Sequence, residues 1–138
     1  MWETVLSSLW SGLPALLTQF VAAAAIYGAG IAVYVRLTPF HELPLIRKGN
    51  TAAAITLAGA LIGLAIPIAA TLSGSLSVPD ILVWGAVSTL LQALAFGAAN
   101  LMLRGLPAAV ERGDVAAAIV GAAVQIGVGI LNAGAMSS

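Results

Sequence analysis

The side chains with the most chemical capacity in this sequence are neutral ones set in apolar surroundings. Ser88, Thr89, Gln92 and Asn100 fall in one long apolar run, and Gln125 and Asn132 in another. At helical spacing Gly85, Thr89, Gln92, Phe96 and Asn100 share a face, as do Gly121, Gln125 and Asn132. Gln92 and Gln125 each lie near the middle of a run, so the two can meet at one depth. Two chemistries fit such a stripe. It can clasp helices by hydrogen bonds, typically ~0.6 kcal/mol each and at most about 2. It can also line a narrow polar path for ions or small polar solutes in an oligomer. Polar groups in lipid need partners in either case, so both readings stand.

Titratable groups are scarce. No Asp, Glu, Lys, Arg or His falls well inside any apolar run. Proton-coupled transport ordinarily uses such a group, so neither a proton pump nor an antiporter is expected. The one histidine, His41, stands beside Glu42, which is too little for a metal site. It also cannot complete a nucleophile–His–acid constellation. There is no phosphate loop and no cysteine. No enzyme activity, metal or cofactor is expected, and His41 reads as a loop residue near lipid headgroups.

The elements that must position these groups are membrane helices. Hydrophobic residues make up 61% of the 138 positions and charged residues 7%, against soluble averages of about 45–50% and about 25%. Five Lys/Arg and five Asp/Glu could not cover the surface of a water-soluble fold of this size. Residues 47–70, RKGNTAAAITLAGALIGLAIPIAA, return without a gap as residues 111–134, ERGDVAAAIVGAAVQIGVGILNAG. Each copy opens on charged residues, then Gly, then Asn or Asp, then an apolar run.

About 20 residues suffice to cross a hydrocarbon layer of about 30 Å. The spacing predicts four spans, at 13–37, 51–71, 81–103 and 115–135, in an all-α membrane protein of one domain. They pair as two helical hairpins, repeat one at 13–72 and repeat two at 80–136. Residues 2–11 read either as a short helix lying in the interface or as an extension of the first span. MWETVLSS lacks the basic region of a cleaved signal peptide, so the first run is expected to be retained. Asn50 and Asp114 are placed to cap the second and fourth spans. Ala52, Thr56, Gly59, Gly63, Pro67 and Ala70 form a small face, and Gly59, Gly63 and Gly127 are the expected packing glycines, since close approach carries helix association in lipid. Tyr34 and Arg36 stand where interface anchors would. The segments 38–50, 72–80 and 104–114 read as loops.

Charge sets the expected orientation. Arg36, Arg47 and Lys48 flank one loop, and Arg104 and Arg112 flank another. With four spans all five lie on one side, which the positive-inside rule makes cytoplasmic. Both termini then face outward, periplasmic in a bacterium, and the halves are parallel repeats about an axis along the membrane normal.

LTPFHELPLIRKGNTAAAITLAGALIGLAI, together with the second GDVAAAI element, resembles the YjfL-like family of small bacterial inner-membrane proteins of unknown function. The likeness rests on a doubled G-[ND]-x-A-x-A element with a T-P-x-x-E stretch before the first copy, and it spans most of the chain. It implies a multi-pass protein of the inner membrane and a link to envelope stress systems. It carries over no substrate or catalytic residue.

Two functions follow as expectations. One is a homo-oligomeric passive channel or transport unit, with Thr89, Gln92, Asn100, Gln125 and Asn132 along its path. The other is a non-permeating anchor or sensor. In that case Arg36, Arg47, Lys48, Arg104 and Arg112 meet anionic headgroups or a cytosolic protein partner, each basic residue adding about 1 kcal/mol near an anionic leaflet. The lipid bilayer and a second copy of the chain are the expected partners, and nucleic acid is not.

Overall fold

The structure is a computed structural model that describes residues 1–38, 41–74 and 77–136. Pro39 and Phe40 of the T-P-x-x-E stretch, and Ser75 and Leu76 of the turn before the third span, lie outside the described residues. Among the described residues six helices follow in order: α1 (Trp2–Leu37), α2 (Glu42–Arg47), α3 (Thr51–Gly74), α4 (Val78–Leu103), α5 (Leu106–Glu111) and α6 (Val115–Met136). Four of them, α1, α3, α4 and α6, are long and apolar enough to cross a membrane. No strand occurs among the described residues.

The segment Trp2–Ser11 continues α1, so the reading of it as a separate interfacial helix is not the one realised. The α1–α4 register fixes where α1 ends relative to the rest. A Cβ on Gly85 would meet Ile26 Cγ1 at 2.5 Å, and one on Gly30 would meet Thr89 Oγ1 at 2.5 Å. Ile26 is therefore level with Gly85, near the start of α4. The N-terminal part of α1 overhangs the bundle by roughly 25 Å at ~1.5 Å per residue. Trp2 and Trp10, in this overhang, are largely exposed.

The two segments read as loops, 38–50 and 104–114, each contain a six-residue helix instead. Their sequences explain it. Pro44 and Pro107 fall in the first turn, where no intrahelical N–H bond is required. Leu45 and Ile46 of α2, and Leu106, Ala109 and Val110 of α5, turn inward onto α3 and α6. Each short helix then ends in the same way. Gly49 (φ 87°) and Gly113 (φ 81°) take left-handed backbone. The next residue's N–H bonds back to Leu45 O or to Ala109 O, both at 2.9 Å. The glycine N–H bonds to Ile46 O at 2.9 Å or Val110 O at 3.0 Å. This pairing is the Schellman closure, and a Cβ at the glycine would strain it.

The residue after each glycine serves two helices at once. Asn50 Oδ1 accepts from Ala53 N at 3.0 Å, and Asp114 Oδ1 accepts from Ala117 N at 3.1 Å. These are the expected caps. The doubled Gly-Asn/Asp element thus closes one helix and opens the next. Asn50 Nδ2 also donates to Val110 O at 2.9 Å, which ties the two connecting segments together at the end of the bundle that carries the basic residues.

The small face of α3 packs along α6, the most extensive helix–helix contact among the described residues. Ala52, Thr56, Gly59, Gly63 and Pro67 are all buried there. A Cβ on Gly59 would lie 2.6 Å from Ala122 Cα, and one on Gly63 would lie 2.6 Å from Gln125 O. On the α6 side the close approach falls to Gly129, where a Cβ would collide with the Gly63 carbonyl. Gly127, the expected packing residue, has nothing within 4 Å. Position 129 lies on the α3-facing side of α6 with Gln125 and Gly121, and position 127 does not.

Candidate functional site

The polar side chains of the stripe divide into three groups by what surrounds them. Gln92 and Gln125 are buried, at 2% and 1% exposure, inside the four-helix bundle. Gln92 Nε2 donates to Gly63 O at 3.1 Å, and Gln125 Nε2 donates to Tyr34 Oη at 3.0 Å. Pro67 explains why the first bond is made: it has no N–H, so the Gly63 carbonyl one turn earlier lacks its intrahelical donor and accepts from α4 instead. Asn132 Nδ2 donates to Ser88 Oγ at 3.0 Å, joining α6 to α4 about one turn beyond Gln92.

The other two members lie elsewhere. Thr89 faces α1, where its hydroxyl donates to Gly85 O at 2.9 Å, and Ser88 takes its place in the interior. Asn100 sits at the basic end, where its Oδ1 accepts from Leu106 N at 3.1 Å and starts α5. The face expected to hold Thr89 and Asn100 with Gln92 is therefore turned by about one residue. Ile81, Gly85, Ser88, Gln92, Ala95 and Ala99 are the positions of α4 that are buried.

Tyr34 is not an interface anchor. It is 3% exposed, accepts the Gln125 bond, and meets the Phe96 ring edge-on at 6.1 Å. Beyond it lies the residue that sequence reasoning missed. Glu42, the first residue of α2, is 0% exposed and lies within electrostatic range of Tyr34. Neither carboxylate oxygen accepts a hydrogen bond. Burial pushes its pKa up to about 7. The nearby Thr38 hydroxyl pulls the other way, but it is already donated to Val35 O at 2.9 Å. Position 42 lies outside every span, so a search for charges within apolar runs passes over it. The signal that could have found it is its setting, an acid followed by Leu43, Leu45 and Ile46.

The described side-chain atoms that are buried and unpartnered are Glu42 Oε1 and Oε2, Gln92 Oε1 and Gln125 Oε1. All of them are acceptors. They follow one another from the basic end toward the bundle centre. From the opposite end a cavity of about 580 Å³ opens among α3, α4 and α6, with Thr71, Asp80, Trp84 and Asn132 in its wall. Asn132 links that cavity to Ser88 and so to the turn that carries Gln92. A series of polar groups therefore runs the length of the bundle within one protomer. Such a series offers oxygen atoms to a proton, a cation or a hydrogen-bond donor, and nothing in it offers a free positive charge to an anion.

The basic residues are all on the surface. Arg36, Arg47, Lys48, Arg104 and Arg112 are exposed and cluster at the end where α2 and α5 lie. Among the described residues no group of three His, Cys, Asp or Glu side chains is arranged to hold a metal ion.

Comparison with known proteins gives a family. The profile of the Domain of Unknown Function DUF350 matches residues 8–136. The chain is 29% identical over 129 residues to the UPF0719 inner membrane protein YjfL of Escherichia coli (strain K12), covering 88% of this chain and 98% of the relative. The protein of the same name from Escherichia coli O157:H7 matches to the same extent. No solved structure matches. With residues 8–136 matched, nearly its whole length, the chain belongs to the DUF350 family.

Proposed function

We propose that this protein is a small inner-membrane transport unit for ions or small polar solutes. In this reading the path runs through the interior of each protomer. The observation that carries it is the run of unpartnered buried oxygens on Glu42, Gln125 and Gln92, with a cavity at the far end whose largely apolar wall includes Thr71, Asp80 and Asn132. A hydrogen-bond clasp alone needs only the amide nitrogens, and each of the two has a partner. It leaves the oxygens as a cost of about 1–3 kcal/mol each with no return.

Inner-membrane placement is supported by the printed description of the YjfL relatives and by the four apolar helices. The basic end is taken to face the cytoplasm, with both termini outside. A duplicated hairpin is supported by the matching short helices, glycine closures and caps. Self-association is supported by Gly28, Gly97 and Gly127, which have nothing within 4 Å in one protomer and leave thin surface for a second copy. No catalytic step and no cofactor form part of this reading.

The test is flux. Wild-type protein and the Gln92→Leu/Gln125→Leu double variant are reconstituted in vesicles and challenged with gradients of protons, potassium ions and small polar solutes. Wild type is expected to dissipate at least one gradient and the double variant to do so more slowly. Wild-type vesicles that hold every gradient as well as empty ones would remove the transport reading.

One observation favours a second reading. All five basic side chains are exposed at one end, tied together by the Asn50–Val110 bond. That is the surface an anchor or sensor would present to anionic headgroups or a cytosolic partner. Changing Arg47, Lys48 and Arg112 to Gln is expected to weaken recovery with phosphatidylglycerol vesicles if this surface is used. Unchanged recovery rejects it.

A further inference from the structure

Glu42 is the least explained group in the molecule. A carboxyl with no exposed surface and no hydrogen bond to either oxygen is costly as an anion. Among the described residues, its neighbours supply no compensating charge. Tyr34 of α1 and Thr38, just past its end, are its neighbours there, and Arg36 is exposed. α3, the main helix packed on α2, contains no charged or titratable residue. On its own segment His41, Arg47 and Lys48 are all exposed. A metal ion finds no second acid there, whereas a proton neutralises the group with no further ligand.

The fold does not require an acid at this position. In the gapless register that lays residues 47–70 on 111–134, Glu42 falls on Leu106. Both are the first residue of a six-residue helix, and both are 0% exposed. A leucine fills this place in the second half, so the carboxyl in the first half serves something other than packing.

We propose that Glu42 is a proton-binding site at the basic end of the bundle, where a proton from the adjoining aqueous phase is held as a neutral carboxyl beside Tyr34. The step is simple to balance. The carboxylate takes a proton from hydronium, one O–H bond forms, one breaks, and water is released. Burial, which holds the carboxyl near neutrality on the pH scale, lets the site fill and empty around physiological pH. Tyr34 Oη accepts from Gln125 and makes no hydrogen bond to the carboxyl, so among the described residues no donor on the protein holds the group in its ionised form. The inference deepens the transport reading and rests on it for the identity of the permeant as the proton.

The experiment has two readouts on the same preparations: wild type, Glu42→Gln and Tyr34→Phe in phosphatidylethanolamine/phosphatidylglycerol vesicles. The first is infrared difference spectroscopy between acid and alkaline pH. A protonated-carboxyl C=O band titrating near neutral pH is expected in wild type, absent in Glu42→Gln, and displaced in Tyr34→Phe. A band retained in Glu42→Gln, or no band in wild type at all, overturns the site. The second is proton entry followed by an entrapped pH-sensitive dye, with membrane voltage clamped by potassium and an ionophore. Glu42→Gln is expected to lower proton flux by about tenfold or more. Proton flux equal in wild type and Glu42→Gln overturns the site while the transport reading stands. A titrating Glu42 band with no wild-type flux of any solute upholds the site and defeats the transport reading.

Discussion

The two connecting helices, α2 and α5, are built alike and filled differently. Each is six residues long, carries a proline in its first turn, closes on a left-handed glycine and hands over to a capping Asn or Asp. Each buries its first side chain completely. In α5 that side chain is Leu106, which joins a closed apolar cluster with Ala52, Ala53, Ala99, Val110 and Ala118. In α2 it is Glu42, with both oxygens unpartnered. The comparison teaches that the scaffold is satisfied by leucine. The acid is therefore not something that packing alone calls for at this position.

Exchanging the two positions breaks the comparison most sharply. Leu106→Glu puts a carboxyl into the apolar cluster with no partner, and should cost about 3 kcal/mol or more. The reverse change, Glu42→Leu, should leave stability equal or raised. Thermal unfolding in one detergent measures both, and equal losses for the two variants would erase the contrast. The second effect is in the helix seam. Gly63→Ala drives a methyl toward Gln125 O and should cost about 1–3 kcal/mol, while Gly127→Ala, which meets nothing within 4 Å, should fall within about 0.5 kcal/mol of wild type. The third is Tyr34→Phe, which removes the acceptor of the Gln125 bond and should cost about 1–2 kcal/mol. A double-mutant cycle with Gln125→Leu should recover most of that as coupling.

The smallest effect sharpens the comparison through pH. Burial raises Glu42 from 4.5 to about 7, so the folded chain holds a proton that the unfolded chain gives up earlier. Between those values the unfolded state binds fewer protons, and stability must fall as pH rises. The contribution is whole below pH 4.5 and gone above about 7. The thermal midpoint of wild type should therefore drop across that window. That of Glu42→Gln should be flatter there, and a wild-type midpoint that climbs across it would contradict the burial of Glu42.

The spans, their caps and the small face of α3 were legible because each has a local cause. Apolar length, an Asn or Asp at the first turn, and glycine spacing are all written within one segment. The polar interior was legible in part. Gln92, Gln125 and Asn132 were placed by periodicity alone. Ser88 and Thr89 are adjacent in sequence, and only the angle at which α4 meets α1 and α6 decides which one turns inward. Gly129 in place of Gly127 has the same origin. Tyr34 and Glu42 were beyond reach for a different reason. Tyrosine near a span end and an acid in a polar loop are both ordinary at a membrane surface. Only the folding of α2 back onto the bundle brings them under cover.

The central claim is that position 42 is occupied for function and not for fold. Thermal midpoint and proton flux measured on one preparation of Glu42→Leu test it most directly. A midpoint at or above wild type, with flux lost, is the predicted result. Flux at the wild-type level in a protein of wild-type stability would contradict it.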